Sequence, residues 1–206
     1  MRAPVHLAAA PLTRARPQHS LRIVGRDARK LCLAGIVAAV AAIAGITAGS
    51  AVAGGDIYIP VAETHKIPDK GRGKLTMTVR VDEDRVINNM FVGLRVEHPQ
   101  TKDLKLWLKD PAGTKAVLSD RDTQGANFAD SATECGGNLT YLAKNAPNEL
   151  SDGSAPYTGS YLAAEPLSIF DGESTLGDWK LTIKDLKAGN KGNLHCFVLS
   201  LYGTPN

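Results

Sequence analysis

An all-β fold, an antiparallel β-sandwich or jelly roll, is what three features of this 206-residue chain predict. Apolar residues alternate along several short runs, and clusters of Gly, Pro, Asp and Asn punctuate those runs. No segment beyond residue 54 keeps a 3.6-residue period long enough for a helix. Many short strands at such spacing build two packed sheets.

The first 53 residues read differently. Arg2, Arg14, Arg16, Arg22, Arg26, Arg29 and Lys30 are opposed only by Asp27. An uncharged segment, Leu31 to Ala53, follows and ends in Ala51-Val52-Ala53. A basic n-region (1–30), an apolar h-region (31–53) and a small-x-small ending are the parts of a secretory signal peptide. The expectation is a helical apolar leader cleaved between Ala53 and Gly54, and a secreted or extracytoplasmic protein. The alternative is a membrane anchor formed by residues 31–53, which are long enough to span a bilayer. Outside the leader stand 17 basic and 20 acidic residues, so the overall charge of +3 belongs to the leader. A nucleic-acid partner is therefore not expected.

Residues 54–66 are expected to form an N-terminal arm, and 67–206 the sandwich domain. Leu75, Met77, Val79 and Val81 fall on every second position and so on one face of a half-buried strand. Val92, Leu94 and Val96 repeat the period, as do Leu104, Leu106 and Leu108, then Trp179, Leu181 and Ile183. Residues 194–202 are apolar on both parities, as in a central strand. Asp110-Pro111-Ala112-Gly113 and Asn190-Lys191-Gly192-Asn193 carry turn residues between strands. The stretch from Ser119 to Ser160 is irregular, and loops of that length are commonly functional. Cys135 and Cys196 are the cysteines outside the leader; an even pair in an exported chain predicts a disulfide, with two buried thiols as the alternative.

A series of motifs then appears in order. Val92–His98 leads to Asp103-Leu104-Lys105-Leu106-Trp107-Leu108 and the turn Asp110-Pro111-Ala112-Gly113-Thr114. Phe128-Ala129-Asp130, Gly159-Ser160-Tyr161, Pro166-Leu167 and Phe170-Asp171-Gly172 follow. Gly177-Asp178-Trp179-Lys180-Leu181, Asp185, Gly192-Asn193-Leu194 and Leu201-Tyr202-Gly203-Thr204 complete it. The series resembles the P domain (P/Homo B domain) of kexin- and furin-like proprotein convertases over roughly Ile67 to Thr204. The resemblance implies a galactose-binding-like jelly roll. It also implies a non-catalytic module that binds or stabilises a protein partner, a subtilisin-like serine protease being the implied one. Two departures stand out: Thr101-Lys102-Asp103 replaces a common Arg-Gly-Asp, and Phe197 replaces a common Trp.

No subtilisin-like Asp, His or Ser context and no Gly-x-Ser-x-Gly elbow is present, so no catalytic residue is expected. His98 reads as structural, bonding a loop carbonyl, and His195 adjoins a cysteine expected to be oxidised. Calcium is the candidate cofactor. Asp103 and Asp130 lead its candidate ligands, with Asp120, Asp122 and Glu134, because the ion takes several hard oxygen ligands. Solvated loop carboxylates are the plainer account of the same residues. A calcium-dependent adhesion or carbohydrate-binding module is the alternative function, with Trp107, Tyr141, Tyr157 and Tyr161 as stacking candidates. Trp107 has the parity opposite to Leu106 and Leu108 and should face outward; Trp179 should lie between the sheets.

Overall fold

A computed structural model describes residues 56–70, 72–130 and 134–206. The leader, its helical character and the Ala53–Gly54 cleavage site lie outside these residues. The described residues form ten strands in two sheets, with three short 3-10 turns. In chain order the strands are β1 (Asp56–Val61), β2 (His65–Ile67), β3 (Leu75–Val81), β4 (Arg85–Glu97) and β5 (Leu104–Lys109). Then come β6 (Lys115–Asp120), β7 (Thr140–Ala143), β8 (Gly159–Tyr161), β9 (Gly177–Asp185) and β10 (Gly192–Pro205).

The larger sheet runs β1-β10-β4-β7-β8, with β2 also on β10; the smaller runs β3-β9-β5-β6. The all-β expectation holds, with one difference: β7 and β8 pair in parallel, whereas every other named pair is antiparallel. Residues 56–61 and 65–66 of the expected arm pair with β10, as does Ile67, which opens the expected domain. Pro60 is tolerated there because β1 is an edge strand, where a missing N–H breaks no ladder on its outer side.

The alternating residues do what their parity requires. Leu104, Leu106 and Leu108 from one sheet, and Val92, Leu94 and Val96 from the other, belong to one buried core. Trp179 is fully buried, edge-on to Phe170 at 5.4 Å, and its Nε1 donates to the Thr175 carbonyl at 2.9 Å. A buried indole is stable only with such a partner. β10 is central, between β1 and β4, and buries both faces over most of its length. The turn after β5 closes as expected: the Gly113 amide, at φ +107°, donates to the Asp110 side chain at 2.6 Å.

Candidate functional site

The irregular stretch after β6 is braced rather than loose. Phe128 bridges to Val96 through two backbone hydrogen bonds of 2.8 and 2.9 Å. Arg95, only 2% exposed, donates from Nη1 to the Asp130 carbonyl (3.0 Å) and carboxylate (2.9 Å), and from Nη2 to the Gly136 carbonyl. A disulfide joins Cys135 to Cys196 in the middle of β10. The buried Tyr157 hydroxyl donates to the Gln124 carbonyl at 2.6 Å and accepts from its amide at 2.5 Å. All five non-glycine residues with positive φ among those described, Arg121, Asn127, Ala129, Glu134 and Tyr157, fall in this stretch. Left-handed backbone costs roughly 1–2 kcal/mol per non-glycine residue, so the braces hold a conformation the chain would not choose alone.

His98 is fully buried beside this loop. Its Nδ1 lies 2.8 Å from the Gln100 carbonyl, as the sequence suggested, and its Nε2 lies 3.3 Å from Asp185 Oδ2. The other Asp185 oxygen accepts from the Lys187 amide at 2.9 Å. Asp103, 1% exposed, accepts from Asn190 Nδ2 at 3.1 Å, and its carbonyl accepts from the Leu186 amide at 2.8 Å. His98, Asp103 and Asp185 thus latch the start of β5 to the β9–β10 turn.

Of the calcium candidates, only Asp103 and Asp120 are brought to one depression, and they share it with Lys102, Arg121 and Lys187. Asp130 faces the Arg95 guanidinium, Asp103 an amide donor, and Asp120 the Lys105 ammonium. Asp122 accepts from the Ser119 hydroxyl at 2.7 Å. Among the described residues, no three His, Cys, Asp or Glu side chains gather as a metal group would require. Cations already pair with Asp130 and Asp120, and neutral donors occupy Asp103 and Asp122, so the residues present do not fit a calcium ion.

One arrangement was not legible in the sequence. His195 Nδ1 lies 3.0 Å from the Thr64 hydroxyl, and its Nε2 lies 3.0 Å from Glu97 Oε2. Hydrogen bonds from His195 and then Asn193 hold the Glu97 carboxyl below the usual carboxylate range, against a small desolvation effect. Hydroxyl, imidazole and carboxylate stand in the order of a hydrolase triad. Yet the carboxylate is 62% exposed, so water screens the charge that should steady an imidazolium. Thr64 and Glu97 lie 131 and 98 residues from His195, and no local motif marks either. Glu97 also lines an open cleft of about 670 Å³ with Lys66, Asp69, Arg72, Asn127 and Lys191.

Of the stacking candidates, Tyr157 is buried and unavailable. Tyr141 is half-buried, edge-on to Phe91 at 5.5 Å, and Tyr161 packs against Tyr157 at 6.3 Å. Trp107 lies on the outer face of the smaller sheet, half-buried, with Lys74 Nζ 5.8 Å from its ring centroid.

The buried residues of the motif series, from β4 through the braced loop to β10, span the region that matches the proprotein convertase P-domain family, residues 87–201. The chain belongs to that family. In this P domain the motif residues Phe128, Leu167, Phe170, Trp179 and Leu194 are core, so the match rests on architecture. Two solved structures are similar to it, both containing a serine protease of Aeromonas sobria. For the protease with its chaperone (ORF2), identity is 16% and the TM-score 0.43, covering 73% of this chain and 28% of that one. For the protease alone, identity is 15% and the TM-score 0.41, covering 71% and 27%. The chain spans just over a quarter of the length of those chains. Among curated proteins no match is found.

Proposed function

We propose that this P domain is an exported, non-catalytic companion that binds and stabilises a subtilisin-like serine protease. The observation that carries the reading is the family match over residues 87–201, because a proprotein convertase P domain accompanies a catalytic domain and contributes no catalytic group. The Cys135–Cys196 disulfide supports an oxidising compartment, in line with the leader. The braced loop supports a docking role, since a surface held rigid before binding loses little entropy on association. Its neighbouring cleft, lined by Asn127, Pro99 and Lys66 to Asp69, is the surface assigned to the partner.

Two measurements test this. Purified domain incubated with casein and with short ester substrates should release no product, and Thr64→Ala should change nothing. Hydrolysis abolished by Thr64→Ala would make the Thr64–His195–Glu97 arrangement catalytic and overturn the non-enzyme reading. A subtilisin-like catalytic domain lacking a P domain should co-elute with this one, and substitution of Asn127 by Arg should break the complex. Co-elution unaffected by that change would move the contact elsewhere.

A further inference from the structure

We propose that the outer face of the β3-β9-β5-β6 sheet binds an acidic polysaccharide, a linear polymer whose sugars carry carboxylate or sulfate groups. The strand register assembles this face. Trp107 on β5 sits at its centre, directly opposite Thr182 on β9 and Val117 on β6, and Thr182 in turn faces Thr76 on β3. On one side of this row Lys105 stands opposite Lys184; on the other Lys109 stands opposite both Lys180 and Lys115. Lys74 completes the set over the Trp107 ring. Lys74, Lys109, Lys115, Lys180 and Lys184 are exposed and Lys105 half-exposed.

Like charges directly opposite each other destabilise a sheet. Three such Lys–Lys pairs on one face work against folding, and only Lys105 has an acidic partner, Asp120, among the described residues. The other acid on the face, Asp178, is turned to Arg80. The chain outside the leader is net acidic, so this concentration of cations is a local arrangement rather than a reflection of composition. Neighbouring strands are about 4.8 Å apart. A polymer lying across the strands therefore meets Lys180, Lys109 and Lys115 in succession along one row, and Lys184 and Lys105 along the other before Asp120 on β6, with the Trp107 ring and the exposed Thr76 hydroxyl between the rows. A depression of about 660 Å³ opens beside Trp107, lined also by Lys70, Lys74, Lys184 and Leu186.

The face suits a sugar acid better than the other polyanions. Protein-interface cores are depleted of lysine, and here lysine predominates. Single-stranded nucleic acids stack successive bases on several aromatics, and here there is one. Indole and hydroxyls beside ammonium groups match a ring with a C–H face, hydroxyls and an acid group.

The test uses polygalacturonate and dextran sulfate as probes in affinity electrophoresis, with neutral dextran, poly-glutamate and oligo-dT as comparisons. Wild type should be retarded by at least one of the two acidic sugar polymers, and the effect should fade as salt rises from about 50 to 200 mM. Trp107→Ala and Lys180→Glu should each weaken binding about tenfold or more, since stacking and charge are each of that order. Lys180→Glu also relieves the clash with Lys109, so its melting temperature should not fall; this keeps lost binding separate from lost folding. Lys66→Glu, on β2 of the other sheet, should bind as wild type does. No retardation by either acidic polymer would overturn the proposal. So would undiminished binding by Lys180→Glu, equal weakening by Lys66→Glu, or equal retention by poly-glutamate or oligo-dT.

Discussion

Replacing both members of the Cys135–Cys196 disulfide by alanine tests how the irregular loop is held. The bond closes a loop of 61 residues. In the chain-entropy treatment, a closure of that size contributes about 4 kcal/mol by restricting the unfolded chain. For a domain of this size each kcal/mol corresponds to roughly 2–4 °C, so melting should fall by about 8–16 °C. The denatured chain also becomes less compact, so the denaturant m-value should rise. Arg95→Met is the comparison. It removes a brace that exists only in the folded state, takes the guanidinium away from the Gly136 carbonyl and the Asp130 carboxylate, and should cost about 1–3 kcal/mol with no change in m. Arg95 holds Asp130 and Gly136 and the disulfide holds Cys135 between them in sequence, so their combined cost should differ from the sum. Urea titrations of the four proteins, followed by tryptophan fluorescence, supply every term. A loss below about 1 kcal/mol for the cysteine pair, with m unchanged, would show that Arg95 and the Phe128 bridge suffice and would refute the entropic argument.

Four further outcomes follow from particular residues. A Cβ at Gly192 would meet the Glu97 carbonyl and His98 Cδ2, both at 2.6 Å, so Gly192→Ala should cost about 1–3 kcal/mol in urea titration. Gly136, with open space around it, should accept alanine without loss. Because the Glu97 carboxyl is lowered in the folded state, its stabilisation is present above its unfolded value of about 4.3 and lost as pH falls through the lower folded value. Melting curves of wild type and His195→Ala should therefore converge in that acid window; a gap that persists there would contradict the assignment. Finally, chelator and added calcium should leave the melting temperature unchanged, and a midpoint raised by calcium would show that Asp103 or Asp130 joins a site after all.

Parity made the core strands legible. β3, the second half of β4, β5 and β9 each present one apolar face, and β10 presents two. Residues 54–66 read as an arm although Ile57, Ile59 and Val61 alternate, because Pro60 argues locally against a strand and β2 is only three residues long. The pairing that rescues them comes from β10, some 130 residues away, which no local pattern carries. β7 and β8 are short and lie inside the irregular stretch, and their parallel pairing has no hairpin signal to announce it. The cysteine pair was readable from number and compartment alone, whereas Arg95, the loop's buried brace, looks like any outward polar residue between Leu94 and Val96. The Thr64–His195–Glu97 contact and the lysine rows around Trp107 exist only once strand register is known. Sequence alternation shows which residues share a face of one strand. It does not show which strand lies beside it.

The most direct measurement is the inactivation half-life of a subtilisin-like catalytic domain, freed of its own P domain, with and without this protein at saturating concentration. The account predicts a longer half-life in its presence, abolished by Asn127→Arg, with no proteolysis by the domain alone. An unchanged half-life, in a mixture where the domain stays folded, would contradict its reading as a protease's companion.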